Sequence, residues 1–499
     1  MGTLTGKKVL IVGAGFGGLS AAAHLVSRGA KVEVLEQAPF PGGKAASHEV
    51  AGFRFDTGPT LLTMPEVTRE LFSILGEEAR CPEFQRLDLG CRYLFANGKE
   101  LTVYDDLERT RKEIENVDPG DAGKFQAFLA ATKEIWEAAG EPYLEAPFES
   151  YVTFGKRVLS RGLKATRLGV SLGTLDTFTK SQFASEEMQM LVNRFATYAG
   201  GSPFRSSAAY AMIAHLELTR GAFYPVGGMH MLACALRDAL KNQGVRFRFD
   251  ARVESLDVSR TKLTGIQVSG GTESADAYVF NVDPCSPPLA GILKVARPEP
   301  SLSGFVLSLG VKGDVPKGAL HTILFPKNYE DEFRAIFDAK EVPADPTVYV
   351  SVPTLMEPAR APEGHHTIFV LVNAPARTDA DYWERETPKV EARILEILEK
   401  RWCPDLKSRI VERRVRTPMD LERTGAQFGA IYGGAPHGIT APFERPLQRT
   451  SISGLYLVGG ATHPGGGVPM VMLGGKHAAS LVEADLKRGK PPGWAQWLT

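Results

Sequence analysis

The residues with the spacing that chemistry requires cluster at the two ends of this sequence. Near the N-terminus Gly13, Gly15 and Gly18 fall in the G-x-G-x-x-G spacing, and Glu36 follows about twenty residues on. Glycines at the first two positions let a turn press its backbone against a pyrophosphate, and the third lets a helix lie close to a strand. Free N–H groups at the helix start then favour the phosphate charge. An acid at that distance accepts hydrogen bonds from an adenosine ribose and disfavours a 2′-phosphate. This constellation points to a dinucleotide, with NAD and FAD both open and NADP disfavoured. Near the C-terminus Gly459, Gly460, Gly465, Gly466 and Gly467 surround His463, the only ionisable side chain of that loop. Such a glycine-rich backbone can lie flat against a planar ligand, and His463 is the candidate proton acceptor.

The elements that must position these residues are legible around them. An apolar run at 9–12 reads as a buried parallel strand, 19–27 as a small-residue helix and 31–35 as a second strand. At 455–458 another buried strand leads into the second glycine loop, and Pro469 suits the first turn of a helix running toward Leu486. The start of that helix would present the positive end of its dipole to a ligand. Between these ends, 91–104 reads as a hairpin around Asn97-Gly98. The stretch 107–219 is helical, with Phe125, Phe128, Leu129, Ile135 and Trp136 near helical intervals. Residues 245–249 read as another strand of the parallel sheet, and 253–258, 263–268 and 277–282 as a small meander. Further strands at 305–311, 347–352 and 366–372 precede a helix at 390–401.

A chain of 499 residues exceeds one simple core and predicts two or three domains. With 58 basic and 58 acidic residues, net charge offers no footprint for nucleic acid. Cys81, Cys91, Cys234, Cys285 and Cys403 show no C-x-x-C and no histidine spacing, which predicts reduced thiols and no metal site. No run reaches the roughly twenty apolar residues that span a bilayer, so a cytoplasmic or membrane-surface protein is expected. Within 150–179, Lys156, Arg157, Arg161, Lys164 and Arg167 interleave with leucines and valines, the pattern of an interfacial helix on anionic lipid or of a solvated cationic helix face.

Four motifs extend the reading. They are Pro41-Gly42-Gly43-Lys44, Asp56-Thr57-Gly58-Pro59, the run Tyr224-Pro225-Val226-Gly227-Gly228-Met229, and the closing Gly459-Gly460-Ala461-Thr462-His463-Pro464-Gly465-Gly466-Gly467-Val468-Pro469. In collinear order they resemble the bacterial-type carotenoid (phytoene) desaturase family. The closing run is most similar to the hydroxycarotenoid 3,4-desaturases and methoxyneurosporene dehydrogenases. The resemblance implies FAD as cofactor, with Gly43 and Lys44 along its diphosphate, although many members carry arginine at the latter position. It also implies Gly58, Pro59 and Thr60 near the flavin, Val253 in backbone contact with the adenine, and Gly460, Gly467, Pro469 and Met470 around the flavin ring.

The fold so implied is α/β. A Rossmann-like FAD-binding domain (1–75, 222–296 and 445–499) is interleaved with an antiparallel-sheet substrate domain (76–106 and 297–444). A helical, membrane-facing insertion occupies 107–221. The implied activity is desaturation of an acyclic, 1-hydroxylated carotenoid at the 3,4 position by hydride transfer to flavin. Phytoene desaturation, FAD-dependent carotenoid isomerisation and, outside enzymes, an isoprenoid-binding escort are the alternatives. The implied partners are a carotenoid drawn from a membrane, the anionic membrane surface, and quinone or oxygen as electron acceptor, with no nucleic acid. The implied location is cytoplasmic, peripherally attached to the membrane.

Overall fold

A computed structural model describes residues 2–162, 173–293, 295 and 298–488. Its fold is mixed α/β, built on two large sheets. The apolar run near the N-terminus forms the strand Lys8–Val12, buried on both faces, in the centre of a five-stranded parallel sheet. The order across that sheet is Leu455–Leu457, Ala277–Phe280, Lys8–Val12, Lys31–Leu35 and Arg246–Arg248. Here the structure corrects the sequence reading of 277–282. Ala277–Phe280 is no meander strand; it lies parallel between the first strand and Leu455–Leu457. All four of its residues are buried, as two-sided coverage in a parallel sheet demands. The meander closes instead with Gly271–Glu273.

The helix Phe16–Val26 follows the first strand, and the closing helix Val468–Arg488 crosses it at very short range. A Cβ on Gly475 would stand 2.5 Å from the Gly17 carbonyl oxygen and 2.7 Å from the Ala21 nitrogen. Ser20 Oγ donates to the Met472 carbonyl at 2.6 Å in the same crossing. Small residues on both helices thus bring the chain's two ends together.

The second sheet has seven strands, ordered Ile410–Arg416, Ser303–Lys312, His365–Ala374, Val348–Ser351, His321–Leu324, Leu89–Leu94 and Glu100–Tyr104. The expectation of an antiparallel sheet holds for every pair except His321–Leu324 with Leu89–Leu94, which is parallel. These two strands come from distant segments, so no tight turn dictates their direction. One face packs Phe305, Leu307, Val350 and Val370 under Trp383, Ile394 and Leu398 of the helix Ala380–Arg401. The other packs Tyr93, Phe95, Ile323 and Phe325 under Phe125, Phe128, Phe178 and Phe183 of the helical stretch.

In that stretch the cationic segment 150–179 is not one helix. Tyr151–Leu159 and Leu175–Gln182 are separate helices, and Lys164, Arg167 and the whole of 163–172 lie outside the described residues. Two of its cations are already paired. Arg157 donates to the carbonyls of Pro142, Ala146 and Pro147 at 3.0, 3.0 and 2.7 Å. Arg161 pairs with Glu141 and Glu145. The helix Tyr151–Leu159 exposes Lys156 together with the apolar Tyr151, Val152 and Leu159, which are 57%, 63% and 73% exposed. Among the described residues, no helix is long and apolar enough to cross a membrane.

Candidate active site

The first glycines form a cradle that a side chain would fill. Gly13 has φ of +98°, and a Cβ there would stand 2.8 Å from the Asn281 carbonyl oxygen. On Gly18 it would stand 2.1 Å from the Gly13 carbonyl oxygen, and on Gly15 it would stand 2.7 Å from Asn281 Nδ2. Gly43, at φ +58°, comes down beside Gly15, and Gly42 N donates to the Ala14 carbonyl at 2.9 Å. Glu36 closes this end: its carboxylate accepts from Ala14 N at 2.7 Å and Ala38 N at 2.9 Å. Burial pushes its pKa up while these donors hold it down. A carboxylate has roughly four lone-pair sites, so acceptor capacity remains for two ribose hydroxyls. Val253 is buried nearby, two residues beyond Ala251, whose N–H donates to the Glu36 carbonyl at 2.8 Å. The cradle fits a dinucleotide.

Asn281 is a central residue of this cradle that the sequence reading missed. It terminates Ala277–Phe280 and lies against Gly13, Gly15, Gly17, Gly18 and Gly459. A polar residue at the carboxyl end of a central parallel strand is where open α/β sheets bind ligands. Assigning that strand to the meander hid the signal.

The Asp56-Thr57-Gly58-Pro59 turn crosses directly over Lys44, since a Cβ on Gly58 would stand 2.1 Å from the Lys44 carbonyl oxygen. Lys44 Nζ donates to the Ile431 carbonyl at 2.5 Å. Burial pulls its pKa down to about 8, with Asp283 acting in the opposite direction. Its amine therefore faces the Ile431 carbonyl, with the Asp283 charge nearby. Arg360, which no motif announced, anchors the turn from below. Fully buried, it pairs with Asp56 at 2.7 Å and Glu357 at 3.2 Å, and donates to Tyr224 Oη at 3.2 Å. A Cβ on Gly228 would stand 2.5 Å from Arg360 Nη1, so the glycine pair after Tyr224 makes room for this ion pair. Two motifs far apart in the chain are thus clamped by one guanidinium.

The closing loop runs against Tyr432, another aromatic unannounced by any motif. A Cβ on Gly466 would stand 2.1 Å from its ring, and one on Gly433 would stand 2.6 Å from Ala461 Cβ. Arg445 Nη1 binds both strips of backbone, donating to the carbonyls of Tyr432 at 2.8 Å and Gly460 at 3.0 Å. Gly467, at φ +101°, leads to Val468, where the helix begins, with Pro469 buried and Met470 half-buried in its first turn.

His463 faces away from that strip. It is 1% exposed, neither ring nitrogen has a hydrogen-bond partner among the described residues, and Tyr143 and Phe148 close over it at ring distances of 4.5 and 5.9 Å. Burial pulls its pKa down to about 3 and that of neighbouring His477 to about 4. A base so weak and enclosed is poorly suited to accept a proton at neutral pH. Both rings are neutral in the fold, whereas the unfolded chain takes up their protons near pH 6.5. The unfolded state therefore binds more protons between pH 6.5 and about 4, and stability falls as pH falls through that window. Each ring contributes a slope of about 1.4 kcal/mol per pH unit. Substituting His463→Phe is expected to flatten the acid limb by about that amount, read from urea midpoints at several pH values.

Lys44, Tyr198, Tyr349 and Tyr432 are each partly buried, as are Ile213, Leu371 and Ile431. A cleft of about 500 Å³ is bounded by Asp283, Gly433, Arg445 and Ala461.

Comparison with known proteins agrees with this geometry. The flavin-containing amine oxidoreductase family model matches residues 16–482. The chain is 34% identical over 489 residues to a 1-hydroxycarotenoid 3,4-desaturase of Flavobacterium sp. (strain P99-3), covering 95% of this chain and 99% of the relative. It is 31% identical to a zeta-carotene-forming phytoene desaturase of Myxococcus xanthus, covering 94% and 92%. The solved cyclohexylamine oxidase of Brevibacterium oxydans shares the fold, with a TM-score of 0.61 at 17% identity over 97% of this chain and 100% of that one. The chain therefore belongs to the flavin-containing amine oxidoreductases and, within them, to the carotenoid desaturase family, and it is an oxidoreductase with FAD as its cofactor.

Proposed function

We propose that this chain desaturates an acyclic, 1-hydroxylated carotenoid at its 3,4 position. The observation that carries the reading is the full-length likeness to the Flavobacterium 1-hydroxycarotenoid 3,4-desaturase. Bound FAD would supply a two-electron acceptor, so that one carbon of the CH–CH pair would give up a hydride to it and its neighbour a proton to bulk solvent, leaving a C=C bond.

The chain's own residues bind, orient and exclude water. Gly13, Gly15, Gly18 and Gly43 give the diphosphate an unobstructed backbone, Glu36 takes the ribose, and Val253 abuts the adenine. Gly58, Pro59 and Thr60 on one side and Gly460, Gly467, Pro469 and Met470 on the other hold the ring. Lys44 serves the flavin edge near Ile431. In this reading 1–75, 222–296 and 445–499 form a Rossmann-like FAD-binding domain, 76–106 and 297–444 the substrate sheet, and 107–221 the membrane-facing insertion. A polyene is nearly absent from water, at about 0.8 kcal/mol per buried methylene, so the enzyme takes its substrate from a bilayer. Tyr151, Val152 and Leu159 are its insertion points. A quinone or oxygen reoxidises the flavin.

The test is anaerobic incubation of FAD-loaded protein with liposomes carrying phytoene, lycopene or a 1-hydroxylated acyclic carotenoid. Sedimentation with the vesicles, flavin bleaching and a red shift of the hydroxylated pigment alone are expected. Bleaching by phytoene alone would move the assignment to an early desaturase. Changed isomer composition without bleaching would indicate an isomerase.

A further inference from the structure

A line of polar side chains joins the turn at Thr60 to the second sheet. Thr60 Oγ1 and Tyr349 Oη form a hydrogen bond, and Tyr349 Oη meets His321 Nδ1 at 2.7 Å. Tyr349 and His321 project from the strands Val348–Ser351 and His321–Leu324 on the face that packs under the helices. Behind them Arg194 and Glu217 form a buried ion pair, which Tyr93 and Tyr198 extend: Arg194 Nε donates to Tyr93 Oη at 2.9 Å, and Tyr198 Oη donates to Glu217. A pure hydrocarbon gains nothing from such groups, and each polar atom buried from water costs desolvation energy.

The direction of the chain can be worked out. His321 is 2% exposed, and its Nε2 is buried without a partner among the described residues. A buried N–H left unpaired is rarer than an unpaired buried acceptor. The ring therefore carries its single proton on Nδ1 and donates it to Tyr349 Oη. Burial, reinforced by Arg194, keeps the ring neutral by lowering its pKa to about 3. With that site filled, Tyr349, which also faces Ser351, has its own proton free for Thr60 Oγ1. The Thr60 hydroxyl proton is left over, and no acceptor for it stands among the described hydrogen bonds. Thr60 is half-buried, one residue beyond the turn that crosses Lys44.

We propose that the His321–Tyr349–Thr60 chain reads an oxygen-bearing end group of the substrate, with the Thr60 hydroxyl donating to that oxygen. This rests on the desaturase reading above and deepens it. In a carotenoid hydroxylated at C1 and oxidised at C3–C4, only C2 separates the oxygen-bearing carbon from the reacting bond. The group that reads the oxygen must therefore sit beside the flavin, where the Thr60 turn is placed. One hydrogen bond both positions the chain end and discriminates against end groups without oxygen.

The test compares FAD-loaded wild type with Thr60→Val and Tyr349→Phe. Each is given a 1-hydroxylated acyclic carotenoid and its counterpart lacking the hydroxyl, in matched vesicles. Two ratios are read, for anaerobic flavin bleaching and for pigment binding by tryptophan quenching. Wild type is expected to prefer the hydroxylated pigment, and both variants to lose about 10–100-fold of that preference. An unchanged preference, or parallel loss on both pigments, overturns the inference while leaving the desaturase reading intact. Wild type bleached by neither pigment overturns the desaturase reading, and the inference falls with it.

Discussion

Gly18→Ala is expected to give a colourless protein. The new methyl group would stand 2.1 Å from the Gly13 carbonyl oxygen and 3.3 Å from Asn281 Cβ. Neither neighbour can yield: Gly13 is pinned by its N–H to the Leu35 carbonyl at 2.7 Å, and Asn281 by its N–H to the Val12 carbonyl at 2.7 Å. The helix Phe16–Val26 must therefore lift away from its strand, and its lifted N-terminus no longer faces the phosphates. Overpacking of this kind costs about 1–3 kcal/mol of stability. Flavin binding suffers more, because several backbone contacts are displaced together. The measurement is the ratio of flavin to protein absorbance after purification, with a urea melt alongside. A yellow variant with wild-type stoichiometry would show that this crossing does not position the cofactor.

Arg360→Leu is expected to be the most destabilising single change outside the glycine cradle. It leaves Asp56 and Glu357 without the guanidinium that faces both, and breaking a buried pair from one side costs about 3–5 kcal/mol. Burial already pushes the Asp56 pKa up, and Arg360 is the principal group holding it down. Without Arg360 the carboxyl moves further up and is protonated at milder acidity. The variant's deficit should therefore be largest at neutral pH and shrink as pH falls, because the higher its Asp56 pKa the more its folded state gains on protonation. Adding Asp56→Asn should recover part of the loss, and the double-mutant cycle gives the coupling. Equal deficits at every pH would mean the cost is lost packing, with the ion pair contributing little.

The sequence alone determined whatever depends on residues close together in the chain. The glycine triplet, its strand and helix, and Glu36 span one strand-turn-helix-strand unit, so their spacing specifies their geometry with little help from the rest of the fold. The hairpin at Asn97-Gly98 and the alternating strands were legible for the same reason, since turn chemistry and side-chain period are local. Much less of the site was legible. Ala277–Phe280 consists of four apolar residues, and such a run does not say which sheet it joins. Its placement beside Lys8–Val12 put Asn281 into the cradle. Lys44 could be assigned to the phosphates by type, but only packing turned its amine toward Ile431. Arg157 and Arg161 looked like free cations until the carbonyls and carboxylates around them were seen. Arg360, Tyr432, His321 and Tyr349 carry no motif at all, because their partners lie far away in the chain. The enclosure of His463 by Tyr143 and Phe148 likewise exists only once the helical stretch folds over the closing loop. Local spacing specifies backbone shape, whereas burial and the direction of a charged side chain depend on every element packed around it, and those were decided by the tertiary structure.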